Sequence, residues 1–131
     1  MGFNNLTPIL IVPDVEETVK WYQDIGFILL ATNRKWEPYE EVTWAGLRFE
    51  SCELMLNGGG HDVNGEGRDV SIYIHTDNVR GVFEQMRDHV KVTQGLHKTF
   101  YGMEEFIIED LNSFMVTFGQ PIESMVRQEA F

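Results

Sequence analysis

Apolar and polar positions along the 131-residue chain follow one plan twice. Leu6–Val12 is almost continuously apolar and β-branched, the pattern of a short buried strand. Pro13 stops it, Asp14 is placed to cap a helix, and Glu17 follows three residues later as in a capping box. Val15, Val19 and Tyr22, with Trp21 at the flank, make one apolar stripe at helical spacing, and Gly26 ends the helix. Phe27–Thr32 returns as a strand, and Thr43–Phe49 with Cys52–Leu56 form a hairpin around Glu50 and Ser51. The order then repeats. Ser71–Thr76 is a strand, Val79, Val82, Phe83 and Met86 mark a helix, and Val90–Thr93 is a strand followed by a loop over Gly95–Tyr101. Phe106–Ile108 and Phe114–Phe118 close the plan as a hairpin turning at Asp110, Leu111, Asn112 and Ser113. Asp14 aligns with Asn78 and Leu56 with Phe118, a period of about sixty residues that implies two βαβββ modules and not a solenoid of shorter repeats.

This predicts an α+β fold in one domain spanning 1–131: a first module over about 4–57, a linker over 58–69, a second module over about 70–120 and a tail over 121–131. Five glycines between Asn57 and Asp69 mark the linker. The segment is a poor phosphate cradle, because it lacks the Gly-Lys-Ser/Thr ending and a following apolar helix. It also fails as a calcium loop on Asp62, Asn64 and Glu66, because the twelfth position is Tyr73 and not a bidentate Glu.

Composition narrows the partners. With 21 acidic residues against 10 Lys plus Arg the net charge is −11, and such a chain repels phosphate backbones, so no nucleic-acid partner is expected. The same charge either steers cationic small molecules towards the protein or serves solubility alone. No apolar run approaches the roughly 20 residues that cross a bilayer, so no membrane partner is expected. Cys52 is the only cysteine, and no basic-plus-apolar leader precedes the first strand. The expectation is a soluble, cytoplasmic protein.

Two stretches carry a family resemblance. Residues 13–22, Pro-Asp-Val-Glu-Glu-Thr-Val-Lys-Trp-Tyr, followed by Ile25, Gly26 and Phe27, resemble the first-module signature of the glyoxalase/bleomycin-resistance/extradiol-dioxygenase superfamily. Tyr101–Phe106 and Glu109–Phe114 resemble its closing hairpin, with Leu111 and Ser113 standing where the usual Asp-Pro-Asp-Gly turn has Pro and Gly. The resemblance covers nearly the whole chain. It implies a curved mixed sheet around a cleft, helices outside, and a homodimer. It does not fix the activity, since the superfamily carries several chemistries and some pure binders.

Metal-dependent members resemble one another in placing His and Glu ligands at four strand positions, which carry over to Thr7, Met55, Ser71 and Thr117. None supplies an imidazole, carboxylate or thiolate, so neither a metal nor any other cofactor is expected, and no residue is assigned a catalytic role. Strand alternation turns Thr7, Ile9, Ile11, Ser71, Tyr73 and His75 to the concave face, together with Glu53, Met55, Asn57, Met115 and Thr117. The resemblance puts closing loops beside Trp36, Tyr39 and Trp44 and beside Phe100, Tyr101 and Met103. The candidate ligand-binding residues are therefore Trp36, Tyr39, Trp44, Glu53, Met55, Tyr73, His75, Phe100, Tyr101, Met103, Glu105 and Thr117. Rings suit planar or cationic ligands, and Glu53 and Glu105 would steer a cation. His61 and His97 fall in loops, and His89 ends a helix. The leading expectation is metal-free sequestration of an antibiotic-like, aromatic or cationic small molecule. The alternatives are a lyase, isomerase or extradiol-type dioxygenase whose metal is held by relocated ligands (His75, Glu53, Glu105, His97), and a non-catalytic regulatory module.

Overall fold

The computed structural model describes residues 2, 4–34, 41–62 and 68–122. The chain divides into two compact units, 1–64 and 65–131, with the boundary inside the glycine-rich segment. The first holds β1 (Ile9–Ile11), α1 (Val15–Asp24), β2 (Ile28–Thr32), β3 (Trp44–Phe49) and β4 (Cys52–Asn57). The second holds β5 (Ser71–His75), α2 (Val79–Met86), β6 (Lys91–Lys98), β7 (Met103–Glu109) and β8 (Met115–Pro121). Each unit is one four-stranded mixed sheet, ordered β1-β4-β3-β2 and β5-β8-β7-β6. In each, the first strand runs parallel to the fourth and the other pairs are antiparallel. Ile9 pairs with Met55 as Tyr73 pairs with Thr117, so the repeat read from the sequence holds at the level of register. The α+β class and the two βαβββ modules stand as expected, as two separate, unclosed sheets.

The helices form where capping and apolar spacing agree. Asp14 Oδ1 accepts the Glu17 amide at 3.0 Å and Asn78 Oδ1 accepts the Gly81 amide at 3.2 Å, each satisfying a donor that the first turn leaves orphaned. α1 buries Val15, Thr18, Val19 and Tyr22 against β3 and β4, where Ala45, Leu47 and Leu56 are fully buried. Each buried Val or Leu among them contributes about 1.5–3 kcal/mol. α2 packs on β7 and β8, over Phe106, Ile108, Val116 and Phe118, with the Phe106 and Phe118 rings stacked at 5.0 Å. Gly26 follows α1 at φ +113°, and a Cβ there would lie 2.5 Å from the Phe49 ring, so both backbone and space demand glycine.

Several strand boundaries differ from the periodic reading. β1 is confined to Ile9–Ile11, the residues in ladder register with β4; Pro8 and Val12 add one backbone hydrogen bond each at its ends, and Leu6 is 89 % exposed. Gly95–Lys98, expected as loop, is strand: β6 keeps its pairing with β7 as far as Lys98 through two register irregularities, between Val92 and Gln94 and between Gln94 and His97. Such bulges absorb residues that break simple alternation. For the same reason His97 is a strand residue and not a loop residue. β7 begins at Met103 and β8 runs on to Pro121, both longer than their apolar cores suggest. At the closing turn Asp110 Oδ1 accepts the amides of Asn112 (2.8 Å) and Phe114 (2.9 Å), and Ser113 takes φ +68° where the family's turn has glycine.

Candidate functional site

Within each unit the helix covers one sheet face and leaves the other without a helix. Alternation places side chains as expected: Leu10, Leu54 and Leu56 are buried towards α1, while Ile9, Ile11 and Asn57 are exposed on the opposite face, with Met55 half-buried beside them. Thr7 precedes β1 and is half-buried. Trp44 also lies on this face, its ring over Gly46, where an added Cβ would be 3.3 Å from the indole. Asn33 Oδ1 fixes the start of β3 by accepting the amides of Thr43 (2.9 Å) and Trp44 (3.0 Å). Glu53 is exposed and opposite Arg48. Trp36 and Tyr39 lie outside the described residues.

The open face of the second sheet has different chemistry. Trp44 faces Asn57 across the β3–β4 ladder; the matching pair in the second unit is Glu105 with Gly119. Glu105 is only 3 % exposed. Its Oε2 accepts the hydroxyls of both Tyr73 and Tyr101, each at 2.6 Å, and its Oε1 lies 3.8 Å from His97 Nε2. Short hydrogen bonds to an ionised acceptor are the strong kind, and here they replace the water that burial removes. Tyr73 is pushed well above the ordinary phenol range by burial and by the Glu105 carboxylate, and Tyr101 is raised chiefly by its hydrogen bond to the same group, so both remain protonated donors. Gly119 makes room, since a Cβ there would run into the Tyr73 hydroxyl.

Rings extend this cluster on both sides. His75 lies 4.8 Å from Tyr73, centroid to centroid, and Phe100, 93 % exposed, sits edge-on to Tyr101 at 5.0 Å. Thr117 is opposite Tyr73 and Ile107, and Met103 begins β7 as a half-buried residue. The structure thus brings Tyr73, His75, Phe100, Tyr101 and Glu105 together on the second unit, while Trp44, Glu53 and Met55 belong to the first. Glu105 differs from its expected role, because its carboxylate is sequestered under two phenols instead of being offered to solvent. Gly119 was missed, and His97 entered the sequence reading only as a loop residue and relocated metal ligand. A strand continuing past Phe118 in alternation with Tyr73 was the signal that could have found the glycine.

Two surface cavities lie elsewhere, at the helix N-termini: about 540 Å³ beside Asp14, Glu16 and Arg34, and about 400 Å³ beside Asn78, Arg80 and Glu104. Each is crossed by an ion pair of opposite polarity, Glu16 with Arg34 at 2.6 Å and Arg80 with Glu104 at 2.8 Å. The Arg80 guanidinium holds Glu104 below the usual carboxylate range. In the second unit the Gln120 side chain reaches into this region, accepting the Val79 amide and donating to the Asp77 carbonyl. Neither cavity touches the open-face cluster.

The donor set decides what ions the chain could hold. Among the described residues no three His, Cys, Asp or Glu side chains gather closely enough for a metal ion. Of the relocated ligands weighed from the sequence, His97 and Glu105 come within 3.8 Å of each other, but one Glu105 oxygen already accepts two phenols. Among the described residues no helix is long and apolar enough to cross a membrane.

Solved structures share the fold at low identity. The bleomycin resistance determinant encoded on the transposon Tn5 is 16 % identical, with a TM-score of 0.74 over 91 % of this chain and 98 % of that one. TioX from Micromonospora sp. ML1 is 18 % identical, with a TM-score of 0.72 over 91 % and 99 %. The bleomycin-binding protein from bleomycin-producing Streptomyces verticillus, solved with copper(II)-bleomycin, is 19 % identical, with a TM-score of 0.69 over 90 % and 96 %. No curated protein sequence matches. A family model matches residues 2–118 and so spans both βαβββ units, and the chain belongs to the Glyoxalase/Bleomycin resistance protein/Dioxygenase superfamily.

Proposed function

We propose that this protein binds and sequesters an organic small molecule, antibiotic-like and aromatic or cationic, without a metal ion and without covalent chemistry. The observation that carries this reading is the occupancy of the four family ligand positions. Thr7, Met55, Ser71 and Thr117 offer two hydroxyls, a thioether and a further hydroxyl, and no slip of one residue improves the set. In place of a ligand sphere, the second sheet displays rings around a buried carboxylate, a surface suited to stacking and to charge complementarity. The Tn5-encoded determinant and the S. verticillus protein are, by their names, proteins of bleomycin resistance and binding, which favours the same class of activity here. Tyr73, His75 and Tyr101 are the residues we assign to ligand contact in the second unit, and Trp44 and Met55 in the first. We further propose a homodimer acting in the cytoplasm.

The test is a thermal-shift series with bleomycin, planar aromatic cations and divalent metals. A ligand at 100 times its dissociation constant adds about 2.7 kcal/mol of stability, a shift of several degrees. Stabilisation by an organic ligand that survives chelator treatment supports the reading. Stabilisation by a divalent metal alone, with no organic ligand effective, overturns it.

A further inference from the structure

We infer that the ring-lined strip on the open face of the second sheet is a seat for a quaternary ammonium group, selected over primary amines and over neutral groups of the same shape. The inference rests on the small-molecule reading above and narrows its ligand class. It starts from the way Glu105 is satisfied. Two phenol hydroxyls reach its Oε2, and neither brings positive charge. The basic group beside its other oxygen is the His97 imidazole at 3.8 Å, charged only when protonated. Among the described residues, the Glu105 carboxylate is therefore held beneath Tyr73 and Tyr101 by hydrogen bonds, with no Lys or Arg paired to it. Among the described residues the cations that sit over rings are Arg68 on Phe114 and Arg87 on Phe83, away from these two tyrosines.

What a ligand meets follows from exposure. Tyr73 is 38 % and Tyr101 50 % exposed, whereas Glu105 is 3 % exposed. The charge is felt through the rings, but its oxygens cannot be reached. A phenol that donates to a carboxylate gains phenolate character, which deepens the negative potential of its ring face and strengthens attraction for a cation above it. Both phenols stay protonated under this influence, so the arrangement persists across the neutral range. A primary ammonium seated here sheds water and meets for its N–H groups only neutral acceptors, the Tyr73 and Tyr101 hydroxyls already committed to Glu105 among them, while the carboxylate itself stays out of reach, a loss that offsets the ring contact. A quaternary ammonium has no N–H to orphan and keeps the whole attraction. His75 and Phe100 widen the strip to rings on both sides.

The experiment is an NMR titration of the full chain with three probes: choline, ethanolamine, and 3,3-dimethyl-1-butanol, the neutral isostere of choline. Choline is expected to bind about fivefold or more tightly than either of the others, with shifts centred on Tyr73, Tyr101 and Gly119. Glu105→Gln, which keeps the shape and removes the charge, is expected to bring choline and its isostere to equal affinity. Tyr101→Leu, at an exposed position, serves as a second variant should the buried substitution fail to fold, and is expected to weaken choline by a similar factor. Equal binding of choline and its isostere to the wild-type protein, no binding of choline, or selectivity unchanged in either variant overturns the inference. Stabilisation by bleomycin together with failure here leaves metal-free binding standing and removes the cation class alone.

Discussion

The packing of Tyr73 against Gly119 makes a prediction that can be worked in numbers. In Gly119→Ala the new methyl would run into the Tyr73 hydroxyl and lie 2.5 Å from its Cζ, so the ring must swing outward. Gly119 is not among the residues at positive φ, so the backbone itself accepts alanine. Displacing Tyr73 removes one of the two hydroxyls that satisfy a buried carboxylate, and a hydrogen bond to a charged group is worth about 1.5–3 kcal/mol. Tyr73 is 38 % exposed, so solvent screening selects the lower half of that range. Against this, alanine stabilises by about 0.4–1 kcal/mol through the unfolded chain. The net expectation is a loss of about 0.5–2 kcal/mol, or roughly 2–10 °C in melting temperature. In a Tyr73→Phe background the bond is already gone, and the same alanine should cost about 1.5–2 kcal/mol less. Urea denaturation of the four proteins of this double-mutant cycle measures the difference. Equal cost of Gly119→Ala in both backgrounds would refute the account of Tyr73 as the partner that Gly119 accommodates.

Other perturbations follow from the same contacts. Ser113→Gly should stabilise by roughly 0.5–1 kcal/mol, because a left-handed serine at φ +68° pays a steric cost that glycine avoids; an unchanged urea midpoint would count against this. Gln120→Ala strips partners from the Val79 amide and the Asp77 carbonyl at the start of α2, and should cost about 1–2 kcal/mol with hydrogen exchange rising first in that helix. Tyr73 has a folded-state pKa above its unfolded value of about 10, so its stabilising contribution is complete below that pH and is lost as pH rises through the folded value. The stability gap between wild type and Tyr73→Phe should therefore narrow above pH 10. Urea midpoints at pH 8, 10 and 11 check this, and a gap that stays constant contradicts it.

How far the fold could be read depended on whether local pattern and tertiary pairing agreed. Asp14, Asn78 and the stripes of Val15, Val19 and Tyr22 specify both helices, because caps and helical spacing are local properties. The faces of β1, β4 and β5 were equally legible, since a period of two fixes which side each residue takes. β6 was not, because Gly95 and His97 join a strand only through bulges whose register is set by β7. The site was half legible. Alternation put Tyr73 and His75 on the open face and marked Glu105 as a candidate. Its burial under Tyr73 and Tyr101 depends on Tyr101 folding back across a turn that Gly102 makes at φ +82° and on the missing side chain at Gly119. Neither is encoded in a periodicity.

The central claim is that side chains at the family's ligand positions are too weak to hold a divalent ion. Elemental analysis of tag-free protein, incubated in turn with Zn, Ni, Mn and Fe salts and passed through a desalting column, tests it most directly. Far less than one ion per chain for every metal is the expected result. Retention of one ion per chain, abolished by substituting His75, His97 or Glu105, would contradict the claim and return the protein to the metal-dependent chemistries of its superfamily.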